Sequence, residues 1–312
     1  MQDDARKITY GAMMIAMFAI VLAISVYIPI VGSMTMLFIP LPIILYRLRY
    51  ERGPTLLVML TGVLLSMLVG GIILVPVALM FGLLGLVIGD TMRTEKTKLY
   101  TFMAAGLTLL ISTVLMYAGS VLLFGINIID ELIEGLEVTS EQLAELTSAN
   151  SALSEAFSEQ MEITMAFYEV AVPSMFMIAS FGLAFVIVIL NSLVAKRLGH
   201  NTPKFPPFRD MKLPTVLVWC YLAILLIGIF GAPEQGSTLY LTYVNASVIL
   251  RFLFLIQGLS LIHFYMNEKN TPKWLKVIFT VMAFPLAQIT ILLGVLDSGM
   301  NIRAWMTRNK SN

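Results

Sequence analysis

The sequence is poor in charge and in reactive side chains: Asp, Glu, Lys and Arg make up 12% of its 312 residues, with two histidines and one cysteine. A lone cysteine, Cys220, excludes an intramolecular disulfide and a cysteine-rich metal site. His200 and His263 are not spaced as a zinc pair, and no HExxH motif occurs. No Walker-type phosphate loop is present, so any ATP-driven step would need another subunit. There is no GxSxG elbow and no plausible nucleophile and base pair. The chain is therefore expected to be no enzyme and to carry no metal or cofactor. The net charge of +1 says nothing about nucleic acid, which is not an expected partner.

Apolar sequence is what the chain has in abundance, at 58% of residues and a mean hydropathy of +0.88. Such a composition needs lipid as solvent. A helix rising about 1.5 Å per residue needs roughly 20 apolar residues to cross about 30 Å of hydrocarbon. Nine runs approach this length, at 8–28, 30–46, 54–69, 72–89, 100–124, 170–195, 214–231, 241–266 and 275–296. The expected fold is an all-α integral membrane protein, a polytopic bundle of about nine (eight or nine) transmembrane helices. The first run is too long for a signal-peptide core and reads as a retained span. Pro40 and Pro42 remove backbone donors from the second, which predicts a break there.

Basic residues segregate. With the N-terminus inside, sixteen lysines and arginines fall in inner segments and none in the outer loops before residue 276. Cytoplasmic loops retain positive charge, so this pattern predicts a bacterial inner-membrane protein with a cytoplasmic N-terminus. The rule fails only at Arg303, Arg308 and Lys310, which nine crossings would leave outside. Either a basic tail is translocated, or the segment around Pro285 is re-entrant or interfacial.

The segment 127–169 carries ten carboxylates and no basic residue. Leu143, Leu146, Leu153, Phe157 and Met161 recur at helical spacing, and Thr139 with Gln142 has the form of a capping box. One or two amphipathic helices outside the membrane are expected, with a solvated acidic face, since no EF-hand loop is present. The loop 196–213, basic and bearing Pro203, Pro206 and Pro207, reads as extended. It separates a six-helix core, 1–195 with its acidic insert 127–169, from a three-helix C-terminal segment, 214–312.

Small residues stand four apart at Ala12 and Ala16, at Ala19 and Ala23, at Gly62, Ser66 and Gly70, and at Gly85 and Gly89. In lipid such stripes let helices approach closely, ordinarily within one bundle and sometimes against a partner. Arg251 lies inside the eighth run, ten residues or about 15 Å beyond Leu241, where a charge costs at least about 2.5 to 3.5 kcal/mol. It is either a structural partner for a carboxylate or a contact to an anionic ligand. In the second case Asn245, Gln257, Asn191 and Gln288 could line the same cavity. Asp90 and Asp297, at span ends, are read as structural.

The AxxxA pattern at Ala12 and Ala16, the turn at Pro29 and Gly32, Pro40 and Pro42, and the inner turn RYERGP together resemble the S components of energy-coupling-factor transporters. Over its whole length the chain looks more like the YybS family of uncharacterised bacterial membrane proteins. That likeness is carried by KITYGAMMIAM, by Asn245 with QGLSLIHFY, and by LLGVLDSGMNIR. The likeness to the S components implies that Ala12 and Ala16 would dock a coupling partner tied to an ATPase. The chain departs from the S-component pattern by three further spans and the acidic insert. Two functions are expected to compete: binding or transport of a small molecule near Arg251, and a non-transporting scaffold or accessory role at the cell envelope.

Overall fold

The computed structural model describes residues 2–147, 151–202, 204, 206–231, 233–300 and 302–308. Among them every regular element is helical. This is the outcome that lipid imposes, because a helix satisfies its backbone within one segment.

Among the described residues seven segments are long and apolar enough to cross a membrane: Asp4–Tyr27, Pro29–Arg49, Arg52–Gly70, Leu74–Arg93, Lys98–Phe124, Ile163–Arg197 and Thr238–Glu268. The first lies in α1 (Gln2–Tyr27). The second is broken as its prolines predict, into α2 (Pro29–Thr35), a 3-10 turn at Met36–Phe38 and α3 (Leu41–Arg49). Then follow α4 (Arg52–Gly70), α5 (Leu74–Arg93) and α6 (Lys98–Phe124). Thr97 caps the start of α6 by accepting from the Tyr100 amide at 3.2 Å, and Gly125 ends it in the left-handed region at φ 65°.

The acidic segment begins with α7 (Ile128–Thr147), on which Glu131, Glu134 and Glu137 are exposed. Its N-terminus is set by Asn127, whose Oδ1 accepts from the Ile129 amide, and not by the expected box at Thr139, which lies within the helix. Gly135 is the weakest helix former between these points, and its cost is too small to end the helix. The side chains of Leu143, Leu146, Leu153 and Phe157 lie outside the described residues. The second helix, α8 (Ser151–Arg197), runs on through Pro173 into the sixth span without a break. Beyond it, 206–213 is non-helical except for a turn at Phe208–Asp210.

The last third comprises α9 (Val216–Phe230), α10 (Thr238–Glu268), α11 (Lys273–Met282), α12 (Ala287–Met300) and α13 (Ile302–Arg308). At 15 residues α9 is short for a crossing. The ninth expected run is a bent pair: α11 and α12 meet at 106° near Pro285. The chain leaves α10 at Glu268, and Thr280 of α11 meets His263 at 2.8 Å. It then returns so that the Ser298 carbonyl accepts from Thr215, at the start of α9, at 3.2 Å. Entry and exit of the pair thus lie at the same, basic end of this helix group.

The residues form two compact units, 1–135 with 176–205, and 136–175 with 206–312. The first is built around Phe18, Leu22, Ile43, Ile44, Phe81, Leu84, Ile88, Leu109 and Ile187, all essentially inaccessible. The small-residue stripes of α4 and α5 serve this packing. A Cβ at Gly85 would stand 2.7 Å from the Pro40 carbonyl, and one at Gly89 2.8 Å from Arg47 Cβ. Ala12 and Ala16 differ, because they lie on the exposed face of α1 while Met14, Phe18 and Leu22 face the core. In the second unit Val218, Tyr221, Leu250, Phe254 and Ile291 form a smaller core.

Candidate functional site

Of the residues expected to line one ligand cavity, Asn191 belongs to the first unit and Asn245, Arg251, Gln257 and Gln288 to the second, and three of them are engaged in internal bonds. Asn191 is fully buried on α8, where its Nδ2 donates to the Leu37 carbonyl at 2.9 Å and to that of Ile187 at 2.8 Å. The first of these bonds satisfies a carbonyl beside the break that Pro40 makes in the second span. Asn245 holds another proline site. Within a helix the Ser174 amide would bond to the Val170 carbonyl, next to Pro173. Here the Asn245 side chain stands between them, accepting from Ser174 N at 2.8 Å and donating to Val170 O at 2.8 Å. A single amide thus closes a gap in the α8 ladder.

Arg251 and Gln288 are exposed, and neither makes a hydrogen bond or ion pair among the described residues. The buried cation of this unit is instead Arg303, whose side chain is 5% exposed. Its Nε donates to Asp297 Oδ2 at 2.9 Å, and Nη2 lies 2.8 Å from the same oxygen. Gln257, also fully buried, donates Nε2 to Asp297 Oδ2 at 2.6 Å and accepts from the Leu213 amide at 3.1 Å. Arg303 Nη2 further donates to Ser260 Oγ at 3.0 Å, and Nη1 donates to the Arg209 carbonyl. Ser260 in turn donates to the Phe208 carbonyl at 2.7 Å. The guanidinium also lies 5.3 Å from the centroid of the Phe264 ring. Charge, amide, hydroxyl and loop carbonyls therefore form one network, as a buried ion pair requires if its desolvation is to be offset.

Glycines bring the helices close enough to build it. A Cβ at Gly258 would fall on the Thr290 carbonyl, and one at Gly294 on the Phe254 carbonyl, so α10 and α12 cross with backbones touching. Asp297 and Arg303 were legible only as a span-end acid and a tail base. The available signal was that QGLSLIHFY supplies Gln257, Gly258 and Ser260, while LLGVLDSGMNIR supplies Gly294, Asp297 and Arg303.

A second ionic cluster lies in the first unit. Asp90 accepts from Arg47 Nη2 at 2.5 Å and from Arg52 Nε at 2.7 Å, joining the ends of α3, α4 and α5. Arg47 and Arg93 also donate to the Tyr50 carbonyl.

Two shallow clefts open beside the network in the second unit. One, of about 280 Å³, is lined by Asp210, Lys212, Phe264, Arg303 and Ala304. The other, of about 200 Å³, is lined by Pro207, Phe208, Arg209, His263, Asn267 and Lys276. Among the described residues no group of acidic, histidine or cysteine side chains could hold a metal ion.

A family model described as a predicted membrane protein, DUF2232, matches residues 16–298. The uncharacterized protein YybS of Bacillus subtilis (strain 168) is 31% identical over 306 residues, covering 96% of this chain and 98% of that relative. No solved structure matches the chain. With its long apolar helices and a match over nearly its full length, the chain belongs to the DUF2232 family of predicted membrane proteins, as a YybS-like member.

Proposed function

We propose that the chain is a non-catalytic, non-transporting scaffold or accessory protein of the bacterial cell membrane, with basic loops and N-terminus cytoplasmic and the acidic helices outside. The observation that carries this is how the polar residues of the spans are used. Asn191, Asn245 and Gln257 direct their amide donors to backbone carbonyls, two of them at proline breaks, and to the buried ion pair, where a carrier would keep such groups for cargo; among these side chains Asn191 Oδ1 alone is buried without a partner among the described residues. The same-end geometry of α11 and α12 supports a re-entrant pair, which keeps Arg303 on the basic side and brings it within the charge rule.

A carrier with a small-molecule site, in the manner of an S component, is the second reading. It is favoured by Arg251, a mid-span cation with no partner among the described residues. Melting of the purified protein in detergent, wild type against Arg251→Leu, with and without a low-molecular-weight lysate fraction, decides between the two. The scaffold reading expects both proteins to melt within about 2 °C of each other and no fraction to raise either, since a ligand that binds the fold must raise its stability. A fraction that stabilises wild type but not Arg251→Leu would establish the carrier.

A further inference from the structure

We infer that the cleft of about 200 Å³ between the 206–213 loop, the end of α10 and α11 is a binding site for the phosphate-bearing headgroup of an anionic phospholipid. Its donors are Arg209, Lys276 and Asn267, His263 also lines it, and no carboxylate does. Arg209 has only a distant ionic contact, 3.8 Å to Asp210, and Lys276 has no side-chain partner among the described residues. The Thr280 hydroxyl donates to the Lys276 carbonyl at 2.8 Å, so His263 Nε2, also 2.8 Å from that hydroxyl, acts as the donor between them. This bond ties the α11 wall to α10 with Lys276 one helical turn before Thr280.

The choice of a lipid over a free phosphate rests on where the cleft lies and what adjoins it. It sits at the basic terminus of a membrane-long helix, the end at which a spanning helix meets headgroups. Its α11 wall exposes Trp274, Val277, Ile278 and Val281 beside Lys276, a surface suited to acyl chains with an aromatic ring at the interface. Two cations facing one diester, with Asp210 the nearby acid but outside the lining, are an arrangement by which basic pockets between helices select anionic headgroups. The volume suits a headgroup and is too small for a drug-sized molecule. The site stands whether the protein is a scaffold or a carrier.

Native mass spectrometry of the full-length protein in detergent, with phosphatidylglycerol, phosphatidylcholine or inorganic phosphate added, tests this. Wild type should retain phosphatidylglycerol in preference to phosphatidylcholine. Arg209→Gln/Lys276→Gln should weaken that retention roughly thirtyfold, from about 1 kcal/mol for each basic group near a lipid surface. Lys269→Gln/Lys273→Gln, which removes equal charge from the neighbouring turn, should leave it nearly intact. Arg209→Lys/Lys276→Arg should restore it, and Lys276→Gln alone gives a milder variant should the double one fold poorly. Equal retention of phosphatidylcholine, equal loss in the Lys269/Lys273 variant, or unchanged retention in the Arg209/Lys276 variant would each overturn the site. Displacement of the lipid by millimolar inorganic phosphate would overturn the lipid as its occupant.

Discussion

Gln257 on α10 and Asp297 on α12, forty residues apart in sequence, meet in a 2.6 Å hydrogen bond that no solvent reaches. The Asp297 oxygen that accepts it also accepts from Arg303, so one atom joins a span, a bent helix pair and the final helix. The other oxygen, Oδ1, is buried and has no hydrogen-bond partner among the described residues. Removing Arg303 strands this carboxylate. Arg303→Met should cost about 3 to 5 kcal/mol, as breaking buried pairs does. The double variant Asp297→Asn/Arg303→Met should recover part of that loss, because the amide keeps an acceptor for Gln257 and needs no counter-charge. Melting temperatures in detergent measure both, and strict additivity of the two single changes would show that the pair is not coupled.

The glycines at the α10 and α12 crossing should be intolerant of a single methyl group. Gly258→Ala and Gly294→Ala each drive a Cβ into a backbone carbonyl, at a cost of about 1 to 3 kcal/mol or more. Gly182→Ala, on α8, meets nothing within 4 Å and should be neutral or stabilising by up to about 1 kcal/mol. Thermal melts of the three variants should separate them cleanly. If Gly258→Ala melted like Gly182→Ala, the close approach would not exist in solution.

Asn245 should matter only because Pro173 is where it is. Asn245→Ala leaves the Ser174 amide and the Val170 carbonyl unpaired, a loss of about 1 to 3 kcal/mol. With Pro173→Ala the α8 ladder can close on itself, so Asn245→Ala in that background should cost distinctly less. An undiminished cost would mean that Asn245 acts elsewhere than at the proline gap.

The return of α12 to the start of α9 makes a topological prediction. In a variant lacking Cys220, cysteines placed at Ala304 and at Lys269 should react with an impermeant thiol reagent from the same side of the membrane. A cysteine at Glu131 should react from the opposite side. Labelling of position 304 together with 131 would mean that the bent pair crosses the bilayer.

The sequence by itself determined that this chain is a membrane helix bundle, because long apolar runs leave the backbone no partner but itself in lipid. It also determined the break at Pro40, since a missing donor acts locally, and the segregation of charge, which is written along the chain. It did not determine which charge is buried. Arg251 has the costlier position along the chain, yet it is exposed, while Arg303, read as tail, is enclosed. Only the tertiary structure decided this: the Gly258 and Gly294 contact, the bend at 106° and the return of the 206–213 loop bring carbonyls, an amide and a carboxylate to Arg303. A charge is stabilised by the groups that surround it in space, and their sequence separation of up to 94 residues is invisible to any local pattern.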